Sequence, residues 1–104
     1  MRYEWDQVKN SLNQQKHDGI SFELAALVFE DLRCLVYPDR FDARTAEGRW
    51  HAIGSVQIEP EIGAVLPVVH AYREDNRGEE IIRIISARAA EKHEIRRYQE
   101  QTMD

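Results

Sequence analysis

Cysteine, long apolar runs and an excess of basic charge are all missing from this 104-residue chain, and each absence removes a class of protein. Cys34 stands alone, so neither an internal disulfide framework nor a cluster of zinc-bound thiolates can hold the fold. Within "RCLVY" it reads as buried filler. No stretch of about 18 apolar residues is present to cross a bilayer, and "MRYEWDQVKN" has neither the apolar core nor the cleavage site of a signal peptide. The expected setting is the cytoplasm, with no membrane partner. Lys and Arg number 14 against 19 Asp and Glu, a net charge of −5. That balance argues against nonspecific coating of nucleic acid, because phosphate neutralisation needs surplus basic charge. A local basic site stays open, since most of the basic residues are arginine, whose fork fits phosphate or carboxylate. The chain also lacks a glycine-rich phosphate loop, a GxSxG elbow, an HExxH pair and any Cys–His combination in a fitting context. No metal and no cofactor is therefore expected.

What is present is enough apolar material, 42 % of residues, to bury one core, so residues 1–104 read as a single domain. A short strand is expected at residues 2 to 5. A helix follows, capped by Asp6 and running to about His17, with Val8 and Leu12 four apart on one face and Gly19 just past its end. A second helix starts near Ser21, where Phe22, Ala25, Ala26 and Phe29 make the i, i+3, i+4, i+7 stripe of a helix packed on a sheet. Glu30 and Asp31, unfavourable at the negative end of the dipole, mark its stop. From Arg33 the period becomes two: "CLVY", "RWHAIGSV", "AVLPVVHAY" and "EIIRIIS" read as strands. "QIEPEIG" and "REDNRGEE" suit hairpin turns, and "PDRFDARTAEG", residues 38 to 48, reads as a long, charged, mobile connection. Pro67 predicts an edge position or a bulge, because proline brings no donor to the ladder. After Ser86, "ARAAEKHEIRRYQEQ" has the composition of a closing helix. The fold class expected is α+β, with helices on one face of an antiparallel sheet and the other face left as the working surface.

Two arginines stand out in "IRIISAR", residues 82 to 88. Alternation sets Ile81, Arg83 and Ile85 on one face, so Arg83 has apolar neighbours and needs a partner. A cross-strand carboxylate or snorkelling of its stem would meet that need, and so would a phosphate. Arg88 is odder. If Ser86 caps the closing helix, Arg88 falls in its first turn, where the dipole disfavours a cation by roughly 0.3–1 kcal/mol. An anion held jointly by first-turn N–H groups, the Ser86 hydroxyl and the arginines would explain it; a phosphate fits, and so does a carboxylate from elsewhere in the chain. Lys16 and His17 close the first helix, where positive charge suits the dipole; they also offer an ammonium for phosphate and a group that titrates near neutrality. "EGRW" adds Glu47 as a candidate base and Arg49 as a third guanidinium. The other histidines, His51 and His70 in strands and His93 in the last helix, form no close pair that would suggest a metal.

Together these stretches resemble the BrnT family of toxins. "YEWDQVKNSLNQQKHDGISFELAALVF" meets the family's opening pattern at Trp5, Asp6, Lys9, Asn13, Lys16, His17, Ser21, Phe22, Ala25 and Phe29, with Asp18 as an extra residue before Gly19. "EGRWHAIG", "RIISAR" and "EIRRYQE" resemble its later segments in the same order, whereas "VQIEPEIGAVLP" departs from it. The resemblance implies an endoribonuclease toxin of a type II toxin–antitoxin pair, of RelE-like fold: a twisted antiparallel sheet with two N-terminal helices and a C-terminal helix. It implies a BrnA-like antitoxin in a 2:2 assembly, with operator DNA bound only through that complex.

For such an enzyme, metal-independent cleavage by the 2′-hydroxyl needs a base, an acid and positive charge around the phosphorane. Arg83 and Arg88 are then assigned to the phosphate, with Lys16 or Arg49 assisting. Glu47 and His17 become the acid–base pair in either order. Lys9 and Ser86 contact RNA, and Trp5 is either a stacking surface or a core residue. The competing reading is a non-catalytic interaction module whose arginines pair with carboxylates; a DNA-binding repressor is disfavoured by the net charge and by the lack of a basic recognition helix.

Overall fold

Asp6 ends β1 (Arg2–Glu4) and begins α1 (Gln7–Lys16): its carboxylate accepts the Val8 and Lys9 N–H groups at 2.8 and 3.1 Å, two donors that a helix start leaves open. The computed structural model describes residues 1–42 and 47–101. Asp18 and Gly19, at φ 51° and 80°, turn the chain out of α1. Ser21 caps α2 (Phe22–Ala26) by accepting from the Leu24 N–H at 3.0 Å, and a 3-10 turn, Leu27–Glu30, follows. Strands β2 (Leu35–Asp42), β3 (Glu47–Glu59), β4 (Ile62–Glu74) and β5 (Glu80–Ala87) make an antiparallel meander, and α3 (Lys92–Gln101) closes the chain. No helix among the described residues is long and apolar enough to cross a membrane.

The α+β class holds, with four corrections. The sheet, in the order β1-β5-β4-β3-β2, is mixed, because β1 runs parallel to β5. No hairpin dictates its direction, since the two helices and the meander separate the pair in sequence. Residues 38 to 48 are in large part strand rather than a long connection: Asp42 pairs with Glu47 across the β2–β3 hairpin, and only residues 43 to 46 lie outside the described region. Cross-strand pairing there overrides a polar composition. Pro67 sits on the central strand, paired with Ile53, not at an edge of the sheet. Its carbonyl points towards β5 and accepts from Arg88, one residue past the last β4–β5 pair, Val68 with Ala87. The missing donor thus falls where that ladder has already ended.

The fourth correction concerns the helices. Phe22, Ala25 and Val28 pack on Ala52, Val56, Leu66, Val68, Ile82 and Ile84, the alternating residues of one sheet face. Gly54 permits this approach, because a Cβ there would stand 2.8 Å from Val28 Cγ1. The closing helix lies on the opposite face: the Arg97 guanidinium sits over Tyr37, whose ring stacks on His51, one residue out of phase with Ala52. That second face carries buried Ile53, Ala71 and Ile81, apolar surface that also has to be covered.

Helix α1 packs against neither face in the expected way. Val8 and Leu12 are 69 % and 55 % exposed, and the buried positions are Asn10 and Asn13. The reason is the end of β5. Strand β1 pairs only as far as Arg83, so the backbone of Ala87 faces an open edge. Asn13 closes it, its Nδ2 donating to the Ala87 carbonyl at 2.8 Å and to Ile20 O at 2.9 Å while its Oδ1 accepts the Ala87 N–H at 3.3 Å. Asn10 joins α1 to α2, accepting the Phe22 N–H at 2.8 Å and donating to Glu23 at 2.7 Å.

Asn13→Leu keeps the branched shape of the side chain and strands the Ala87 groups, so an expected loss of about 2–3 kcal/mol should appear in urea denaturation. Val8→Ser at the exposed stripe should cost less than about 0.5 kcal/mol; equal losses would mean that α1 is held by its apolar side after all.

Candidate active site

Strand alternation from Glu47 places Glu47, Arg49 and His51 on the second face, and β5 brings Arg83 to the same side. Arg83 Nη1 lies 3.7 Å from Glu47 Oε2, with side-chain exposures of 44 % and 26 %. At that distance the contact is electrostatic rather than a hydrogen bond, so a solvent-borne phosphate can compete for the guanidinium. The charges continue across the floor. Glu4 hydrogen-bonds Arg73, which holds its carboxyl below the usual range against the effect of burial, and Arg83 adds to the same pull. The alternating order Arg73, Glu4, Arg83, Glu47 keeps like charges apart.

Arg88 is differently placed from the expectation. Ser86 lies in β5, paired with Val69, and α3 begins only at Lys92, so Ser86 caps no helix and Arg88 occupies no first turn. Pairing with β4 carries the strand past the point where composition suggests a helix. The anion beside Arg88 is the internal carboxylate: Nη1 and Nη2 donate to the two oxygens of Glu94 at 2.7 and 3.0 Å. Burial pushes Glu94 up, but the Arg88 hydrogen bonds and the Glu91 N–H outweigh it and leave its carboxyl lowered. This fork fixes the start of α3 to the end of β5.

Lys9, Lys16, His17 and Ser86 meet elsewhere, around a cavity of about 430 Å³ between α1 and the edge of β5, with Leu12 and Ile85 as its apolar wall. No hydrogen bond or ion pair among the described residues joins His17 to Glu47 or Arg83. Trp5 packs edge-on against Phe22, with ring centroids 6.3 Å apart, and its indole N–H donates to Gln7 at 3.1 Å. Among the described residues no three His, Cys, Asp or Glu side chains form a group able to hold a metal ion. Cys34, half-buried against the core, has its thiol pushed up to about 11 by burial and by Asp31.

Four residues with chemistry to offer were given no role from the sequence. His51 Nε2 lies 3.0 Å from Asp39 Oδ1, Tyr37 stacks on the His51 ring at 5.2 Å and 4°, and Arg97 caps Tyr37 at 4.0 Å. The signal was available for His51, which shares the phase of Glu47 and Arg49 once β3 is extended back to Glu47. Tyr37 and Arg97 carried none, since 60 residues of chain separate them.

His70 belongs to the other face. It is fully buried between Phe29 and Tyr72, ring centroids 4.8 and 5.0 Å away, with neither nitrogen hydrogen-bonded. Burial pushes its imidazole from 6.5 down to about 4, and His51 adds to this. Between those values the unfolded chain binds a proton that the folded chain refuses, so stability should fall as pH drops through the window, by up to about 3 kcal/mol. Denaturant midpoints of wild type and His70→Phe between pH 7 and pH 4 test this: the variant should decline less steeply. For the Arg88 fork, Arg88→Ala should destabilise by about 2–3 kcal/mol by leaving the buried carboxylate unpartnered. Adding Glu94→Gln should recover part of that loss in a double-mutant cycle.

Among curated proteins none matches the chain. The family model for the ribonuclease toxin BrnT of type II toxin–antitoxin systems matches residues 5–94, a span that holds the helix pair, the sheet face with Glu47 and Arg83, and the Arg88–Glu94 fork. With that much of its length matched, the chain belongs to the BrnT family of ribonuclease toxins, whose members act opposite an antitoxin.

Proposed function

We propose that the chain is a metal-independent endoribonuclease of RelE-like fold that cleaves RNA through attack of a 2′-hydroxyl on the adjacent phosphate, and so inhibits translation and growth as part of a cytoplasmic stress response. The observation that carries this reading is the 3.7 Å approach of Glu47 and Arg83, both part-exposed on the second sheet face, two residues from separate family-like segments. A carboxylate beside a guanidinium supplies the base for the 2′-hydroxyl and the positive charge for the phosphorane in one place. Arg49, on the same strand face, and Arg88, at the end of β5, are read as further phosphate ligands, the latter through the part of its side chain that the Glu94 fork leaves exposed. Lys16 and His17, with Lys9 and Ser86, hold the strand where it crosses β5 into the α1 cavity, and His17 serves as the acid partner of Glu47. Trp5 contributes by packing behind this region. Neutralisation is assigned to a BrnA-like antitoxin in a 2:2 assembly, through which alone operator DNA is bound.

A second reading, a non-catalytic interaction module, is favoured by the carboxylate partners of Arg73 and Arg88. One assay separates the two: labelled RNA incubated in excess EDTA, with and without ribosomes, followed by end-group analysis. The expected products end in 2′,3′-cyclic phosphate, and Arg83→Ala or Glu47→Gln should lower their rate by about 10²-fold or more while remaining folded. Intact RNA under both conditions with well-folded wild type would select the interaction module.

A further inference from the structure

Tyr37 presents an aromatic face beside the charged floor of the sheet, and nothing in the cleavage scheme uses it. Its register partner is His51, and His51 lies four residues along β3 from Glu47 on the same face, about 13 Å at the strand rise. That is a span bridged by a nucleotide and its neighbour. The inner side of the ring is backed in parallel by the His51 imidazole, itself held by Asp39 at 3.0 Å, so the ring is fixed before any ligand arrives. The other side carries the guanidinium of Arg97, a residue exposed on α3, at 4.0 Å. A cation–π contact at an exposed site contributes little and is exchangeable. An arginine lying on an aromatic ring also resembles in shape and polarisability the planar group that stacks best there, a nucleobase. Trp5, the aromatic residue that the sequence offers for stacking, is engaged with Phe22.

We infer that Tyr37 is the nucleobase-stacking residue of the RNA site: a base of single-stranded RNA takes the position that the Arg97 guanidinium now holds, across β3 and β4 from the phosphate held by Arg83. The inference rests on the ribonuclease reading and adds to it the recognition of unpaired bases. Arg97, displaced from the ring, remains beside the strand as a phosphate partner. The site therefore selects unstacked RNA over duplex, because a base paired within a helix cannot present its face to a side chain rooted in a sheet.

The test uses an eight-nucleotide 2′-O-methyl RNA, which cannot be cleaved by its own 2′-hydroxyl, and a second oligomer of equal length with abasic sugars throughout. Fluorescence anisotropy should show Tyr37→Phe binding the first oligomer within about twofold of wild type, Tyr37→Trp binding it about threefold more tightly than Tyr37→Phe, and Tyr37→Leu binding it about ten-fold more weakly than wild type. Wild type should prefer the base-bearing oligomer over the abasic one, and Tyr37→Leu should lose most of that preference, which a purely structural role for Tyr37 would leave unchanged. Thermal melts identify folded variants; should Tyr37→Leu not fold, the order Tyr37→Trp tighter than Tyr37→Phe decides, and equal affinities overturn the inference. Equal binding of both oligomers by a wild type that still cleaves RNA overturns the stacking role alone. A wild type that neither binds nor cleaves RNA overturns it together with the ribonuclease reading.

Discussion

The backbone of β5 runs on past the end of its neighbour β1, and the need to satisfy that open edge organises the N-terminal half of the molecule. A buried N–H and C=O at Ala87 would be costly if left bare. Asn13 answers both with one amide, standing in for the missing strand. This places α1 beside the sheet rather than on top of it, turns Asn10 and Asn13 inward and leaves Val8 and Leu12 in solvent. It also sets the cavity that gathers Lys9, Lys16 and His17 next to Ser86. The cationic end of α1 thus reaches the sheet because of a hydrogen-bond requirement, with no apolar stripe guiding it.

The two faces of the sheet divide the remaining work. One is closed by α2 and the 3-10 turn over Ala52, Leu66, Val68 and Ile84, dry enough to keep His70 neutral. The other keeps an apolar base of Ile53, Ala71 and Ile81 but raises arginines and carboxylates above it. Those arginines are not equivalent. Arg88 is locked by a bidentate fork that holds α3, whereas Arg83 meets Glu47 only at 3.7 Å and has side-chain area open to solvent. In the first pair most hydrogen-bonding capacity is spent on the fold; in the second it is available to a ligand. The acidic net charge of the chain is compatible with an RNA site for the same reason, since charge sorted by face acts locally where the total does not.

Much of the architecture was legible from local signals. The Asp6 and Ser21 caps, the Phe22–Phe29 stripe, the two hairpins and the alternation of the strands depend on neighbours close in sequence, and these elements lie at or near their signals, with β2 and β3 extending beyond theirs and the second helix tightening to a 3-10 turn after Ala26. Glu47 and Arg83 could be singled out as chemistry-bearing residues, and the likeness to BrnT toxins lies in contiguous segments spread along the chain. What the chain alone determined was therefore the list of elements, the family and the residue types available to a site. Partnership was decided by the tertiary structure. That Arg88 faces Glu94, that Ser86 belongs to a strand, that β1 joins β5 in parallel, that α3 crosses to the second face and that Tyr37 lies under Arg97 all depend on groups brought together across the sheet. Propensity and periodicity describe a residue's neighbours along the chain, whereas a buried charge or an open strand edge is satisfied by whatever the folded chain places within hydrogen-bonding reach, and that distance has no local signature.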